Sequence, residues 1–432
     1  HIVVVVMENH AFDNLFGTYC PNVGSNCPNP VNGIPAGTCV PYQPTNSSAG
    51  CVAPFALAAD GIRTTDPPHE WNATIRSIDG GRMDGFYAAE HSGTVPFGYY
   101  DAKTIPVYWD MAQEYGLGDD FFSSALSYSL PNHWYLLAGQ APPESINLSV
   151  VAAGTVQERH AYLNASNQTR TVQDLLNASP STSWKYYDWA LPSYETAING
   201  GANTETPSAY NYWNPLASRA ESYTQWYVHH FVPRNDFFND SSTGQLPDIS
   251  WVIPGNNFSD HPPANISLGE SYVASVVDAV ESSPDWSSTA IFVTWDDYGG
   301  FYDHVAPPSV DPLGLSFRVP VLVISPYTPA GLVVHSPGYF ESILGFIEWR
   351  FHLGCLTPRD CKAPLPLDYF DFGMSPRAPV LFPTHSLSAS YPYVPPPPGA
   401  PGFLHGGASY LVDPAEWDSG PPSPNLTVDN LD

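Results

Sequence analysis

The six residues Ile2-Val3-Val4-Val5-Val6-Met7 are apolar at every position, with no alternation between faces. A strand with one face in water carries a polar residue at every second place, so a run this uniform must be covered on both sides. Three further short runs rich in β-branched residues behave alike: residues 249–253, 290–295 and 319–324. Each is bounded by turn-forming residues, and all four read as buried parallel strands. Helical patterns alternate with them. Val273, Val276, Val277 and Val280 follow an i, i+3, i+4, i+7 spacing, and Ile343, Phe346, Ile347 and Phe351 do much the same. Pro106 opens another helix running to Tyr115, at a place where its missing N–H does no harm. Strands alternating with helices imply an α/β class fold, a three-layer α/β/α sandwich with a mainly parallel central sheet.

The 432 residues suit one large domain, which we read as residues 1–384, followed by a Pro-rich tail at 385–432 containing YPYVPPPPGAPG and PPSP. Residues 18–60 are rich in Gly, Pro, Asn and Ser and hold Cys20, Cys27, Cys39 and Cys51, which marks a disulfide-stapled insertion. Cys355 and Cys361 flank a short loop. No CxxC or Cys/His zinc spacing occurs. An even count in two local groups reads as Cys355–Cys361 plus one of three pairings among the first four. Sequons of the form N-x-S/T lie at Asn46, Asn72, Asn147, Asn164, Asn167, Asn177, Asn239, Asn257, Asn265 and Asn425. With paired cysteines they point to a glycosylated extracellular or cell-surface protein. A chain that opens inside a strand implies a signal peptide or leader upstream of His1. No run of about 18 apolar residues is present, as a membrane-spanning helix would need.

Acidic residues outnumber basic ones 42 to 14, for a formal net charge of −28 at pH 7. That excludes a nucleic-acid binder working through a basic face, and electrostatic docking on anionic lipid. A hydrophobic share of 43% with 14% aromatics excludes disorder. Charges are few as well as mostly negative, so acidification changes little. An acidic extracellular setting is one reading and an ordinary acidic secreted protein the other.

Open α/β sheets bind ligands beyond the carboxyl ends of their strands. The first strand is followed by Glu8-Asn9-His10, and the run 290–295 by Asp296-Asp297. Three carboxylates and a carboxamide repel one another unless a cation sits among them, and such oxygen ligands suit a hard or borderline divalent metal. Acids that merely cap helices or face solvent are the alternative. Histidines fall in polar, turn-rich stretches: His69 in DPPHEW, His261 in SDHPP, His304 in GGFYDH, and His229-His230 before Phe231. Beside a metal, such side chains would donate to phosphoryl oxygens. For a nucleophile, Ser129 precedes Pro131 and an apolar run to Gly139, which places it at a helix N-terminus where an anion is stabilised. An N-cap role is the alternative, and Ser123, Ser124 and Ser127 are rivals.

Together these stretches resemble the phosphoesterase family of bacterial phospholipases C and acid phosphatases, whose core is similar to that of alkaline phosphatase and the sulfatases. The stretches are HIVVVVMENHAFDNLFG (1–17), DPPHEWNATIRSIDGGRMDGFY (66–87), the segment 105–139 with SYSLPNHWYLLAG, SDHPPANISLGESYV (259–273), TWDDYGGFYDHVAPP (294–308), and 318–360. The resemblance implies one divalent metal, of open identity, bound by Glu8, Asn9, Asp296 and Asp297, with Ser129 as both nucleophile and further ligand. It places phosphate-facing histidines at His69, His261 and His304, and at His230 of the HHFVP stretch, with His229 as the alternative. Two departures stand out: HHFVP differs from the NPF-like family segment, and Ser127-Tyr128 replaces the usual Gly-Pro before the nucleophile. The implied activity is a secreted, metal-dependent phosphoric ester hydrolase, acid phosphatase-like, working through a phosphoserine. A phospholipase C is the first alternative, and a glycosylated surface or filament protein retaining the fold is the second. A sulfatase is disfavoured because Ser129-Leu130-Pro131-Asn132-His133 lacks the Arg that formylglycine formation requires.

Overall fold

β-Branched residues crowd the preceding turn of a helix but pack well on a pleated sheet. The opening run accordingly forms β1 (Ile2–Met7), an inner strand of an eight-stranded sheet. The computed structural model describes residues 1–19, 29–58, 66–89, 93–146, 156–188, 213–219 and 230–384. The other strands of this sheet are β2 (Gly116–Gly118), β3 (Trp184–Asp188), β4 (Phe231–Pro233), β5 (Ile249–Val252), β6 (Ala290–Trp295), β7 (Val321–Ile324) and β8 (Leu332–Val334). Across the sheet they run β8-β2-β7-β6-β1-β5-β3-β4. β1 lies parallel to both neighbours, with Ile2 opposite Ile249 on one side and Ala290 on the other. Every residue of β1, β5 and β6 is buried, so both faces of the sheet are covered, as the uniform apolar runs require.

One strand departs from expectation. The run 319–324 is not parallel: β7 begins at Val321 and pairs antiparallel with both β6 and β2. An apolar run reports burial on both faces and carries no information about direction. Direction follows from the connection, and residues 296–320 form no helix to carry the chain back across the sheet. The strand therefore returns alongside β6 in the opposite sense.

The helices that matter for the site are α1 (Phe12–Phe16), α2 (Trp71–Ile78), α3 (Pro106–Glu114), α4 (Ser129–Ala138), α5 (Ile266–Glu281) and α6 (Phe340–Phe351). Pro106 occupies the first turn of α3. The four patterned valines lie on the buried face of α5, which Asn265 caps by accepting the Ser267 N–H. Cys39 and Cys51 form a disulfide across a small ladder of Val40–Pro41 with Cys51–Val52, and Cys355 joins Cys361. Cys20, Cys27, Asn147, Asn425 and the tail 385–432 lie outside the described residues. Asn46, Asn72, Asn164, Asn167, Asn177 and Asn239 are exposed, and Asn257 and Asn265 partly buried. Among the described residues no helix is long and apolar enough to cross a membrane.

Arg318, just ahead of β7, is fully buried and holds several segments together. It pairs with Asp13 and Asp303 at 3.0 Å each and donates to the carbonyls of Asn32 and Asp119. A buried guanidinium is stable only with such a full complement of acceptors.

The helices also enclose carboxyls. Glu270 of α5 accepts the N–H groups of Val107 and Tyr108 at 2.7 and 2.9 Å. Glu281 accepts the Tyr115 hydroxyl at 2.6 Å, and Glu341 accepts the Ser124 hydroxyl at 2.6 Å. Burial outweighs these partners and raises all three carboxyls to about 7. Each therefore keeps a proton in the folded chain that the unfolded chain has already released above the usual carboxylate range near ~4.3. The stability gained from that proton is present at the acid end of the window and lost as pH rises through about 7. We predict that Tm rises by a few degrees between pH 7.5 and pH 5.5, measured by scanning calorimetry. A fall over the same interval would contradict it.

Candidate active site

β1 and β6 end at the same level, because Met7 lies opposite Trp295. The next residue of each strand, Glu8 and Asp296, thus emerges at the same edge. Asn9 adopts φ 60°, a left-handed conformation that asparagine tolerates better than most residues. From there its N–H donates to Asp296 Oδ1 at 3.0 Å, an atom that also accepts the Asp297 N–H at 2.8 Å. Asp297 Oδ1 accepts the Gly299 N–H at 2.7 Å. One oxygen of each aspartate is thus committed to the backbone. Glu8 Oε2, Asn9 Oδ1, Asp296 Oδ2 and Asp297 Oδ2 are all buried with no hydrogen-bond partner among the described residues. One unsatisfied buried oxygen costs about 1–3 kcal/mol, and four together, three of them from carboxyls, fit a divalent cation by charge and by chemistry. Burial and then the neighbouring Asp296 push the Glu8 and Asp297 carboxyls well above their usual range.

Two glycines close this edge. Gly299 and Gly300 have φ of 57° and 73°. A Cβ on Gly299 would stand 2.2 Å from the Asn9 carbonyl oxygen, and one on Gly300 would stand 2.6 Å from Pro67 Cβ. The loop after β6 can press against both Asn9 and the His69 segment only because these side chains are missing.

Ser129 is the first residue of α4, after Tyr128 in extended conformation. Its hydroxyl lies close to the Glu8 carboxyl. The turn leading to it is clamped by Asn132. Asn132 Oδ1 accepts the N–H groups of Ser124 and Ala125 at 3.1 and 2.8 Å, and Nδ2 donates to the carbonyls of Ser127 and Tyr128 at 3.0 and 2.9 Å. The rival hydroxyls are engaged elsewhere: Ser123 with the Phe317 carbonyl, Ser124 with Glu341 and Ser127 with the Ile146 carbonyl.

The histidines divide into two groups. His69 Nδ1 donates to the Pro67 carbonyl at 2.8 Å, and Nε2 faces Asp297 Oδ2 at 3.8 Å. Burial alone would lower its pKa, but Asp297 and Asp66 outweigh burial and raise it to about 9. His261 Nδ1 lies 2.6 Å from the Pro262 carbonyl, and its Nε2 lies 3.9 Å from Asp66 Oδ2. Asp66 also accepts from Asn9 Nδ2 at 3.2 Å, so it links both histidines to the cluster. The structure does not bring His304 or His230 to the cluster. His304 Nδ1 contacts Asp13 at 2.7 Å and belongs to the Arg318 network. His230 stacks on Trp184 at 4.0 Å and bonds its carbonyl. Trp184 is level with Ile249 and hence with Ile2, so His230 sits at the amino edge of the sheet, about 20 Å from Glu8 along the strands. His229 lies outside the described residues.

Sequence reasoning missed three polar residues here: Asp66, Asn132 and His133. His133 is fully buried, with Nε2 3.0 Å from Glu8 Oε1 and 3.8 Å from Asp296 Oδ2. Ligand atoms of Glu8, His133 and Asp296 all lie within 4.8 Å of one another. Burial lowers the His133 pKa to about 4. Its position four residues after Ser129, hence on the same helical face, was the available signal.

The Phosphoesterase family model matches residues 1–354 of the chain. A phospholipase C B of Mycobacterium tuberculosis is 29% identical over 401 residues, covering 81% of this chain and 73% of that one. A non-hemolytic phospholipase C of Burkholderia pseudomallei is 28% identical over 402 residues, covering 82% of this chain but only 55% of its own length. A non-specific phospholipase C1 of Arabidopsis thaliana is 27% identical over 428 residues, covering 87% of this chain and 72% of its own. Among solved structures, a protein in the alkaline phosphatase superfamily from Vibrio parahaemolyticus aligns with a TM-score of 0.37 and 13% identity over 61% of this chain and 65% of that one.

The glycine closure is directly testable. Gly299→Ala is predicted to destabilise the fold by about 1–3 kcal/mol through its positive φ, and to lower metal content by displacing Asn9. Calorimetry and elemental analysis read both effects, and an alanine variant with unchanged Tm and metal content would contradict them.

Proposed function

Since the chain belongs to the phosphoesterase family and is a phosphoric ester hydrolase, we propose that it is a metal-dependent acid phosphatase acting through a phosphoserine on Ser129. The observation that carries this reading is the set of four partnerless buried oxygens beside the Ser129 hydroxyl. A divalent cation held by Glu8, Asn9, Asp296 and Asp297, with Ser129 as a further ligand, would supply Lewis-acid activation and neutralise developing negative charge. The residues do the rest. Ser129 Oγ gives its proton to water and forms the bond to phosphorus with help from the α4 N-terminus. His69 donates to the non-bridging oxygens. The bond to the leaving oxygen breaks as His261 Nε2 protonates it. An attacking water then gives its proton to His261 as its oxygen bonds to phosphorus, the bond to Ser129 Oγ breaks with Oγ regaining a proton from solvent, and inorganic phosphate leaves.

Ser129 and His261 are more than nine-tenths buried, so the phosphate enters a recess. A terminal phosphate reaches such a recess more easily than a diester flanked on both sides. The names of the relatives favour a second reading, a phospholipase C acting on phospholipid head groups. The two disulfides and six exposed sequons support an extracellular or cell-surface glycoprotein.

Ser129→Ala is predicted to reduce kcat by at least about 10³-fold while retaining metal, whereas Asp297→Ala loses metal. Turnover near wild type in the first variant, or full metal content in the second, would remove that residue from its role. A panel of p-nitrophenyl phosphate against phosphatidylcholine separates the two substrate readings. Preference for the monoester is expected, and preference for the lipid selects the phospholipase.

A further inference from the structure

We propose that His133 is a positioning residue that aims Glu8 at the metal and couples it to the nucleophile helix. The inference rests on the metal reading above. Glu8 has two oxygens in two different situations. Oε1 lies 3.0 Å from His133 Nε2, while Oε2 is buried without a hydrogen-bond partner among the described residues. One oxygen is therefore tied down and the other left facing the cluster. His133 Nε2 is the donor in this contact rather than a metal ligand. A ligating imidazole hands its second N–H to an acceptor, and no acceptor for Nδ1 is found among the described residues. A ring proton on Nε2 satisfies Glu8 Oε1 at 3.0 Å.

The second half of the coupling is helical geometry. Ser129 and His133 are four residues apart on α4 and share a face. His133 contacts Glu8 through Nε2, and the Ser129 hydroxyl lies close to the same carboxyl. Glu8 is thus tied to the second turn of α4, one turn from the nucleophile, so a rotation of the helix would carry His133 off Glu8.

The experiment is a Mn²⁺ titration by isothermal calorimetry of wild type, His133→Ala and His133→Gln, with Tm and circular dichroism as controls for folding. Gln is chosen because its amide N–H reaches about as far as Nε2. His133→Ala is expected to weaken Mn²⁺ binding about 10–100-fold, and His133→Gln to restore most of it. In p-nitrophenyl phosphate hydrolysis at saturating Mn²⁺, the alanine variant is expected to recover more activity than at limiting Mn²⁺. A folded His133→Ala that binds Mn²⁺ like wild type overturns the proposal. So does a folded His133→Gln that binds as poorly as the alanine variant, because His133 would then serve through packing or ligation. Wild-type protein that binds no Mn²⁺ overturns the metal reading itself, which is a distinguishable result.

Discussion

Three carboxyl groups with no exposed surface, Glu8, Asp296 and Asp297, share one small volume at the end of β1 and β6. Their mutual repulsion is the constraint around which the rest of the structure is arranged. In water such groups would separate. Here the sheet forbids it, because two parallel strands in fixed register deliver Glu8 and Asp296 to the same place. Backbone N–H groups stabilise one oxygen of each aspartate and leave the other without a protein partner. The architecture holds negative charge together and leaves room for something positive.

That arrangement explains where the other polar side chains go. Asp66 and His69 approach the cluster from one side through a segment seated against Gly300. Ser129 and His133 approach from α4, and the turn before it is held by five hydrogen bonds of the Asn132 side chain. His261 arrives after β5, and the Glu8 N–H donates to the carbonyl of Ser259 nearby. Five separate stretches of chain, counting the ends of β1 and β6, meet at a single strand edge.

Much of this was legible beforehand, for a physical reason. A run such as Ile2–Met7 is unambiguous, because only a strand covered on both faces tolerates six apolar residues followed at once by Glu-Asn-His. The same reasoning placed Asp296-Asp297 at the edge and Ser129 at a helix start. It failed wherever burial alone was the signal. The run 319–324 was read as parallel because apolar periodicity reports covered faces and not direction. His230 was grouped with His69 by neighbouring motif, although strand register puts it at the other end of the sheet. His304 sits in a polar turn like the others, yet its partner is Asp13, nearly three hundred positions away in sequence. Asn132 and His133 were passed over because they sit inside an apolar helix, where a polar residue looks incidental until its partner is known.

Arg318 is bound on the far side of the loop that follows β6, through Asp303 and Asp13. The near side of the same loop rests on Asn9 through Gly299. A segment anchored at both ends has little room to vary, since a change at either anchor disturbs the charged cluster between them. The opposite wall, formed by residues 66–69 and 259–263, is tied to the same framework: Asp260 accepts from Tyr108 and Trp295, and Asp66 from Asn9. Both walls are thus braced from outside the site, so a substitution as distant as Arg318 or Tyr108 would be felt as a shift in the spacing of the charged cluster.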